Sequence, residues 1–351
     1  MNCFWKKAAA GVLSMALLAV SAASTGLTAY AVPVNDPETG WNYQVIYNKQ
    51  QHEPVCVDLW GYTGHNDNLT VPETFTIPNT STTLPTKTDH DAFLQENDWF
   101  RKVTFKSARP SDSGASIPNG ACQYCKYLKE VDIAVSVNSI GYNAFRDCVA
   151  LEKVTLPNGL KVIGSEVFCD CISLETINLP PTLEIIGRAA FQNCTALDNV
   201  IIPYSVTEIG ADAFKDTKLN RVVINNPDTV ISNTAFPGNV KQFCGPNSEK
   251  LKQYAEAHGS TYLPFRLGYI DNDDDIDLRD IHLILEEYTY VSVAHGEGIL
   301  DETQKLAADI NSDGKIDTRD YRLLMSFYVA KNVSKSIDEN LSLYDYLLTE
   351  G

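Results

Sequence analysis

From Ile140 to Ile224 the apolar positions keep a fixed frame. The segments read IGYNAFRDCVALEKVTLP from Ile140, IGSEVFCDCISLETINLP from Ile163 and IGRAAFQNCTALDNVIIP from Ile186. A fourth, IGADAFKDTKLNRVVIN from Ile209, holds the frame until it slips by one residue at Leu219. Phe145, Phe168, Phe191 and Phe214 recur at one constant interval, and the Ile-Gly pairs keep the same interval. Each unit carries L-x-x-V-x-L-P, whose alternation predicts a short strand, and then a second apolar pair before the glycine. A recurrence on this scale predicts a solenoid. One unit cannot bury Phe, Leu and Ile alone, so coils stacked at about the 4.7–4.9 Å strand spacing must supply the core. Phe and Cys then form inward columns, and the glycine is expected to permit the turn that reverses the coil.

The frame extends upstream. In ACQYCKYLKEVDI, Cys122 takes the Phe place, Cys125 the Cys place and Leu128 the Leu place, and AFLQENDWFRKVTF from Ala92 reads as a coil before it, followed by the insertion KSARPSDSGAS. Downstream, FCGPNSEKLKQYAEAHGSTYLPF leaves the period and predicts a helix from Ser248 to His258. A closing cap is needed there, because the last coil would otherwise expose its apolar section. Residues Val32 to Thr88 read as the opposite cap. Their Trp41, Tyr43, Trp60 and Tyr62 either close the end of the core, the commoner role, or form a sugar-stacking surface.

Strand alternation also fixes which side chains leave the core. In order they are Lys102 and Thr104, Glu130 and Asp132, Lys153 and Thr155, Thr176 and Asn178, Asn199 and Ile201, Arg221 and Val223. This face is polar and mixed in sign and offers no flat ring to a sugar. It is either a solvated surface without a ligand or a site for a protein partner.

A second pattern begins where the first ends. DINSDGKIDTRDYRLL from Asp309 repeats the text of YIDNDDDIDLRDIHLI from Tyr269, each an alternation of oxygen-bearing side chains that becomes an apolar-periodic helix. The offset that aligns Tyr269 with Asp309 also matches Leu283 to Leu323, Ile284 to Leu324 and Tyr288 to Tyr328, with a helix expected near Leu300 to Ala308 between the halves. A calcium loop needs oxygens at positions 1, 3, 5, 7, 9 and 12 and a glycine at 6. The second copy supplies Asp309, Asn311, Asp313, the Lys315 carbonyl, Asp317 directly or through water, and Asp320, with Gly314 at the turn. A merely solvated acidic loop would not explain the apolar Ile316 at position 8. The first copy keeps Asp271, Asp273, the Asp275 carbonyl, Asp277 and Asp280, but has Tyr269 at position 1 and Asp274 in place of the glycine. A neutral phenol on a rigid ring cannot make the short reach of a carboxylate. One tight site and one weaker or empty site are therefore expected, both for Ca2+.

Charge and cysteine usage narrow the function. The chain has 28 Lys plus Arg against 45 Asp plus Glu, a formal net charge of −17. That disfavours nucleic acid and anionic lipid and suits cation binding. Residues 1 to 31 read as an export signal, with Lys6 and Lys7 before an apolar run from Ala8 to Ala23 and a cleavage site at Ala29 to Ala31; the run is too short for a membrane span. An exported chain with nine cysteines normally suggests disulfides. Here Cys125, Cys148, Cys171 and Cys194 recur on the phenylalanine interval, a structural period that makes them small apolar fillers. Taken alone, Cys122-x-x-Cys125 would suggest a redox pair or half a zinc site, but no second pair matches it.

The Ile-Gly-x-x-Ala-Phe-x-x-Cys-x-x-Leu unit with its strand and proline resembles the BspA-like leucine-rich repeats. The duplicated loop-helix pair resembles a dockerin. The two resemblances imply a mainly β leucine-rich-repeat solenoid, with short strands stacked once per repeat, plus a small all-α calcium-binding domain: signal 1–31, capping region 32–88, repeats with cap 89–265, dockerin 266–334 and a tail 335–351. Dockerins attach secreted proteins to cohesin modules on a scaffoldin, as in the cellulosome. The dockerin resemblance implies contact candidates at Leu278, Arg279, Leu285 and Glu286 in one half and Thr318, Arg319, Met325 and Ser326 in the other. The reading is a secreted, non-catalytic adaptor, cell-surface associated through a scaffoldin and presenting its repeats to a protein partner. The alternatives are a scaffold-displayed adhesin for cell or plant wall surfaces, or a polysaccharide-degrading accessory enzyme. For an enzyme, little chain is left outside the two modules, the six histidines are scattered, and no G-x-S-x-G, H-E-x-x-H or phosphate loop occurs.

Overall fold

The computed structural model describes residues 34–347 apart from 48–53, 89–90, 97–98, 107, 109–114, 135–136, 272, 274, 312–313, 339–340 and 344–345. The expected export signal lies outside the described residues.

The repeats form a β-solenoid with parallel strands on two sides, together with a helical C-terminal module, as the periodicities predict. On one side Asn68–Val71, Lys102–Phe105, Glu130–Ile133 and Lys153–Thr155 pair in parallel. Asn199–Ile202, Arg221–Ile224, Gln242–Gly245 and Thr261–Pro264 form a second parallel set beyond them. On the other side six short strands, from Ser116–Ile117 to Val230–Ile231, run as one ladder. The pairing Ser139↔Val162 keeps the interval seen in the sequence, whereas Asn199↔Arg221 and Glu208↔Val230 are each closer along the chain by one residue. The slip at Leu219 is thus a coil one residue shorter, and stacking continues through it. One further coil follows that the frame did not reveal, with Phe236 in the Phe place.

The phenylalanine column is continuous. Rings of Phe145, Phe168, Phe191, Phe214 and Phe236 stack at centroid distances of 5.6, 5.3, 5.1 and 5.1 Å. Beside it runs a column of thiols, each donating to a carbonyl of the preceding coil. Cys125 Sγ reaches Leu94 O at 3.1 Å, Cys148 reaches Cys122 O at 3.1 Å, Cys171 reaches Phe145 O at 3.2 Å and Cys194 reaches Phe168 O at 3.1 Å. This is why a thiol suits the place better than a methyl: it fills the gap and satisfies a buried oxygen.

The repeat glycines act differently from expectation. None of Gly141, Gly164, Gly187 and Gly210 has a left-handed backbone; a Cβ on Gly187 would sit 2.6 Å from the Gly164 carbonyl carbon, and one on Gly164 would sit 2.7 Å from Ile140 O. They allow successive backbones to approach. The reversal falls instead on non-glycine residues with positive φ, two per coil: Asn143 and Asp147, Glu166 and Asp170, Ala189 and Asn193, Asp212 and Asp216. Most are Asn or Asp, which tolerate that region best.

At the N-terminal end an antiparallel pair, Trp41–Tyr47 with Pro54–Tyr62, closes the core. Trp41, Tyr43 and Tyr62 are buried, with the Trp41 and Tyr62 rings 4.9 Å apart and Tyr43 4.8 Å from Phe75. The sugar-stacking alternative is thereby excluded for these three. At the other end helix α1 (Glu249–Ala257), N-capped by Ser248, seals the last coil with Leu251 and Ala255.

Three helices complete the chain: α2 (Leu278–Tyr288), α3 (Glu302–Ala308) and α4 (Thr318–Tyr328). α2 and α4 each run into a π-type turn, Thr289–Val293 and Val329–Val333, so the duplication extends past their ends. Their core joins Ile281, Ile284, Leu324 and Phe327 to Leu267, Ile270 and Ile310, and takes in Leu343 and Tyr346 of the tail. The tail therefore packs as part of this module.

Candidate functional site: the paired loops

Both loops are built around the carboxylate at position 12. Asp280 and Asp320 are fully buried at the first turns of α2 and α4. Asp280 Oδ1 accepts the Ile270 and Asp271 N–H groups at 2.6 and 3.1 Å, while its Oδ2 accepts the Asp277 N–H at 3.0 Å. Asp320 repeats this with Asn311 at 3.2 Å and Asp317 at 2.8 Å. The position-9 residues, Asp277 and Asp317, cap the helices by accepting the Arg279 and Arg319 N–H groups, both at 2.6 Å. Each capping box thus ties the end of its loop to the beginning.

Carboxylate oxygens of Asp271, Asp273 and Asp280 lie within 4.8 Å of one another. Burial holds the Asp280 carboxyl above its ordinary range, the backbone donors oppose this, and the Asp271 charge adds to it. Oxygen donors crowded in this way repel unless a cation lies among them, and an all-oxygen set suits Ca2+. The fit is thus good at positions 3, 5 and 12 of the first loop. Asp275 and Asp277 stand on the same loop, exposed and half-buried. At position 1, Tyr269 carries the Arg266 guanidinium 3.7 Å over its ring.

In the second loop Asp309 Oδ2 accepts the Gly314 N–H at 2.9 Å, and Gly314 has φ +80°. Position 1 is therefore linked to the position-6 turn, the link that a tyrosine cannot make. Asp309, Asp320, half-buried Asn311 and Asp317, and exposed Lys315 surround this turn. Asp313 lies outside the described residues, as do Asn272 and Asp274 of the first loop. The two loops are joined through α3, where Gln304 Nε2 donates to Ile270 O at 2.9 Å.

Of the contact candidates, Leu278 and Leu285 are exposed leucines, at 55% and 38%, and Arg279, Arg319 and Ser326 are also surface residues. Glu286, Thr318 and Met325 are half-buried. Arg279 Nε lies 3.5 Å from Asp271 Oδ2, so a contact candidate also touches a ligand candidate. Sequence reasoning missed that link. It also missed exposed Trp99 and Tyr127, at 52% and 50%, which hold matching places ahead of the paired strands at Lys102↔Glu130.

A stacked-coil solenoid joined to a duplicated loop-helix module defines a two-part recognition protein. Residues 115–241 match the BspA type leucine rich repeat region in six copies, and residues 268–327 match the dockerin type I domain. The chain thus combines a BspA type repeat region with a dockerin type I domain, which implies a cohesin partner and calcium. No curated protein matches it. Among solved structures it is similar to a leucine rich cell surface protein from Faecalibacterium prausnitzii at 23% identity, over 65% of this chain and 56% of that one, with a TM-score of 0.49. It is also similar to a T. pallidum leucine rich repeat protein at 23% identity, over 65% and 81%, with a TM-score of 0.35. A leucine-rich repeat protein from Bacteroides ovatus matches at 19% identity over 65% and 56%, with a TM-score of 0.35. The chain spans little more than half the length of the first of these.

Proposed function

We propose that this protein is a secreted, non-catalytic adaptor held on a scaffoldin by a calcium-loaded dockerin, presenting its repeats to a protein partner in a cellulosome-type complex. The observation that carries the reading is the duplicated loop-helix unit, whose buried position-12 carboxylates, Asp280 and Asp320, fasten loops of oxygen donors to helices with exposed starts at Leu278, Arg279 and Arg319. Calcium, when bound, supplies charge compensation within the loops and no chemistry. The tighter site is assigned to Asp309, Asn311, Asp313, the Lys315 carbonyl, Asp317 and Asp320, and the weaker to Asp271, Asp273, Asp275, Asp277 and Asp280. Neither of the two regions belongs to a catalytic family. No described helix is long and apolar enough to cross a membrane.

Titration calorimetry of the full chain against a panel of recombinant type I cohesins tests this. Binding that needs calcium and disappears in chelator is expected. Calcium-independent binding, or none across cohesins of the source organism, overturns it.

Trp99 and Tyr127 favour a second reading, adhesion to wall polysaccharide, since rings one coil apart offer sugar-stacking area. Retention of the full chain on insoluble cell-wall material, lost in Trp99→Ala, would support that reading over a protein ligand.

A further inference from the structure

The outward face of the solenoid changes character along its length. Over the early coils it is charged and solvated, with Lys102 and Lys153 flanking Glu130 at 3.0 and 3.2 Å. From Asn199 onward one outward column turns apolar: Ile201 pairs with Val223, Val223 with Cys244 and Cys244 with Leu263. On an open sheet these four would be exposed. Instead Val223 and Cys244 are 5% and 0% exposed, and all four residues join the hydrophobic cluster of the dockerin with Phe265, Leu267, Leu306 and Ile316.

The contact involves the second calcium loop itself. A Cβ on Gly314 would lie 3.6 Å from Ile201 Cδ1, so the position-6 turn rests on the sheet. Gly314, Lys315, Ile316 and Asp317 form one wall of a cleft whose other wall is Asn199, Ile201, Arg221 and Val223. Beside it Arg221 Nη1 pairs with Glu302 Oε2 of α3 at 3.0 Å. Only Arg266 and Leu267 separate the last coil from Gly268 at the start of the matched domain. The modules therefore have little tether with which to separate.

We propose that the second loop is a calcium-dependent clamp: in its loaded shape it seats the dockerin on the apolar column Ile201–Val223–Cys244–Leu263, and on losing the ion it releases the column. This rests on the reading of that loop as a calcium site. The shape that meets Ile201 is the left-handed turn at Gly314, which the position-1 and position-12 carboxylates organise. Without a cation those carboxylates repel, and the turn they organise loosens. Because linkage is reciprocal, docking strengthens calcium binding by the factor by which calcium strengthens docking.

Cys244 reports on the seat, because its thiol lies in the covered column while the repeat thiols lie in the solenoid core. The experiment uses the full chain, with maleimide labelling of Cys244 followed by peptide mapping and calcium titration in parallel. Chelator is expected to speed Cys244 labelling by roughly tenfold or more while Cys148 and Cys171 stay protected. Ile201→Asp is expected to speed it in calcium and to weaken the tighter calcium site about fivefold or more, the scale of a modest coupling. Arg221→Glu should act in the same direction and be rescued by Glu302→Arg, which guards against a folding defect in either single variant. If calcium binds but Cys244 labelling ignores it, and Ile201→Asp leaves the affinity unchanged, the clamp is overturned while the calcium reading stands. If no calcium binds at all, both fall.

Discussion

Phe168→Ala tests the stacked-column core most directly. The ring is fully buried and stacks on two neighbours, Phe145 at 5.6 Å with an interplanar angle of 9° and Phe191 at 5.3 Å with 17°. A buried Phe→Ala change costs about 3–5 kcal/mol. Each stacked pair is worth about 0.5–1.5 kcal/mol beyond area burial, and here one deletion breaks two pairs. The cavity cannot collapse readily, because the coils on both sides are pinned by parallel ladders. The cost should therefore fall near the upper end, about 5 kcal/mol. At about 2–4 °C per kcal/mol for a domain of this size, the melting midpoint should drop by roughly 10–20 °C. Circular dichroism of the full chain in calcium gives the readout, with Thr176→Ala, exposed close by in the next coil, as the control expected to change stability by less than about 0.5 kcal/mol. A Phe168→Ala midpoint indistinguishable from that control would refute the column.

Gly187→Ala should cost about 1–3 kcal/mol by overpacking, since its Cβ would meet the Gly164 backbone at 2.6 Å; an unchanged denaturation midpoint would count against the close-approach account. Cys125, Cys148, Cys171 and Cys194 should be unreactive in the native chain and all titrate as thiols after denaturation without reductant, and recovering any as a disulfide would contradict the ladder. Burial pushes the Cys122, Cys148, Cys171 and Cys194 thiols up, so each keeps its proton in the fold after losing it in the unfolded chain. Their contribution is complete below about pH 8.5 and is lost as pH rises towards the folded values, by about 1.4 kcal/mol per pH unit for each thiol, so a midpoint flat from pH 8 to 10 would be inconsistent. Asp309→Ala should abolish the tighter step of a calcium titration while Tyr269→Ala changes it little, and equal effects would reverse the ranking of the two loops.

Much of the fold was legible because its rule is local. Phe, Cys, Leu and Ile-Gly recur on one interval, and an inward column needs nothing more to announce itself. What failed was whatever depends on how coils meet. The glycine was read as a turn residue because Gly most often serves positive φ; its work here is backbone contact between coils, which no single coil displays. The coil with Phe236 was hidden because a step shorter by one residue breaks the alignment while leaving the stacking intact. In the paired loops, ligand spacing showed the donor set, but not the Asp280 bonds to Ile270 and Asp271 or the Arg279–Asp271 contact, which exist only once the loop closes.

Ile201 and Val223 show how a correct local reading can still mislead about function. Alternation places both outward, and they do point away from the solenoid core. Their apolar character then looks like drift on a solvated face. Four stacked rungs, each with one polar and one apolar outward residue, are better understood as a sheet with two jobs. The polar column of Asn199, Arg221, Gln242 and Thr261 remains at least partly exposed, while the apolar column receives another module. An exposed strip of Ile, Val, Cys and Leu beside the short strand Thr261–Pro264 at the edge of the sheet would invite association between copies. Covering it with the dockerin removes that hazard and fixes where the cohesin-facing helices point relative to the repeats. The strip's position at the C-terminal end of the array is then a requirement of geometry, because the short tether at Arg266 and Leu267 lets the dockerin reach only the last coils.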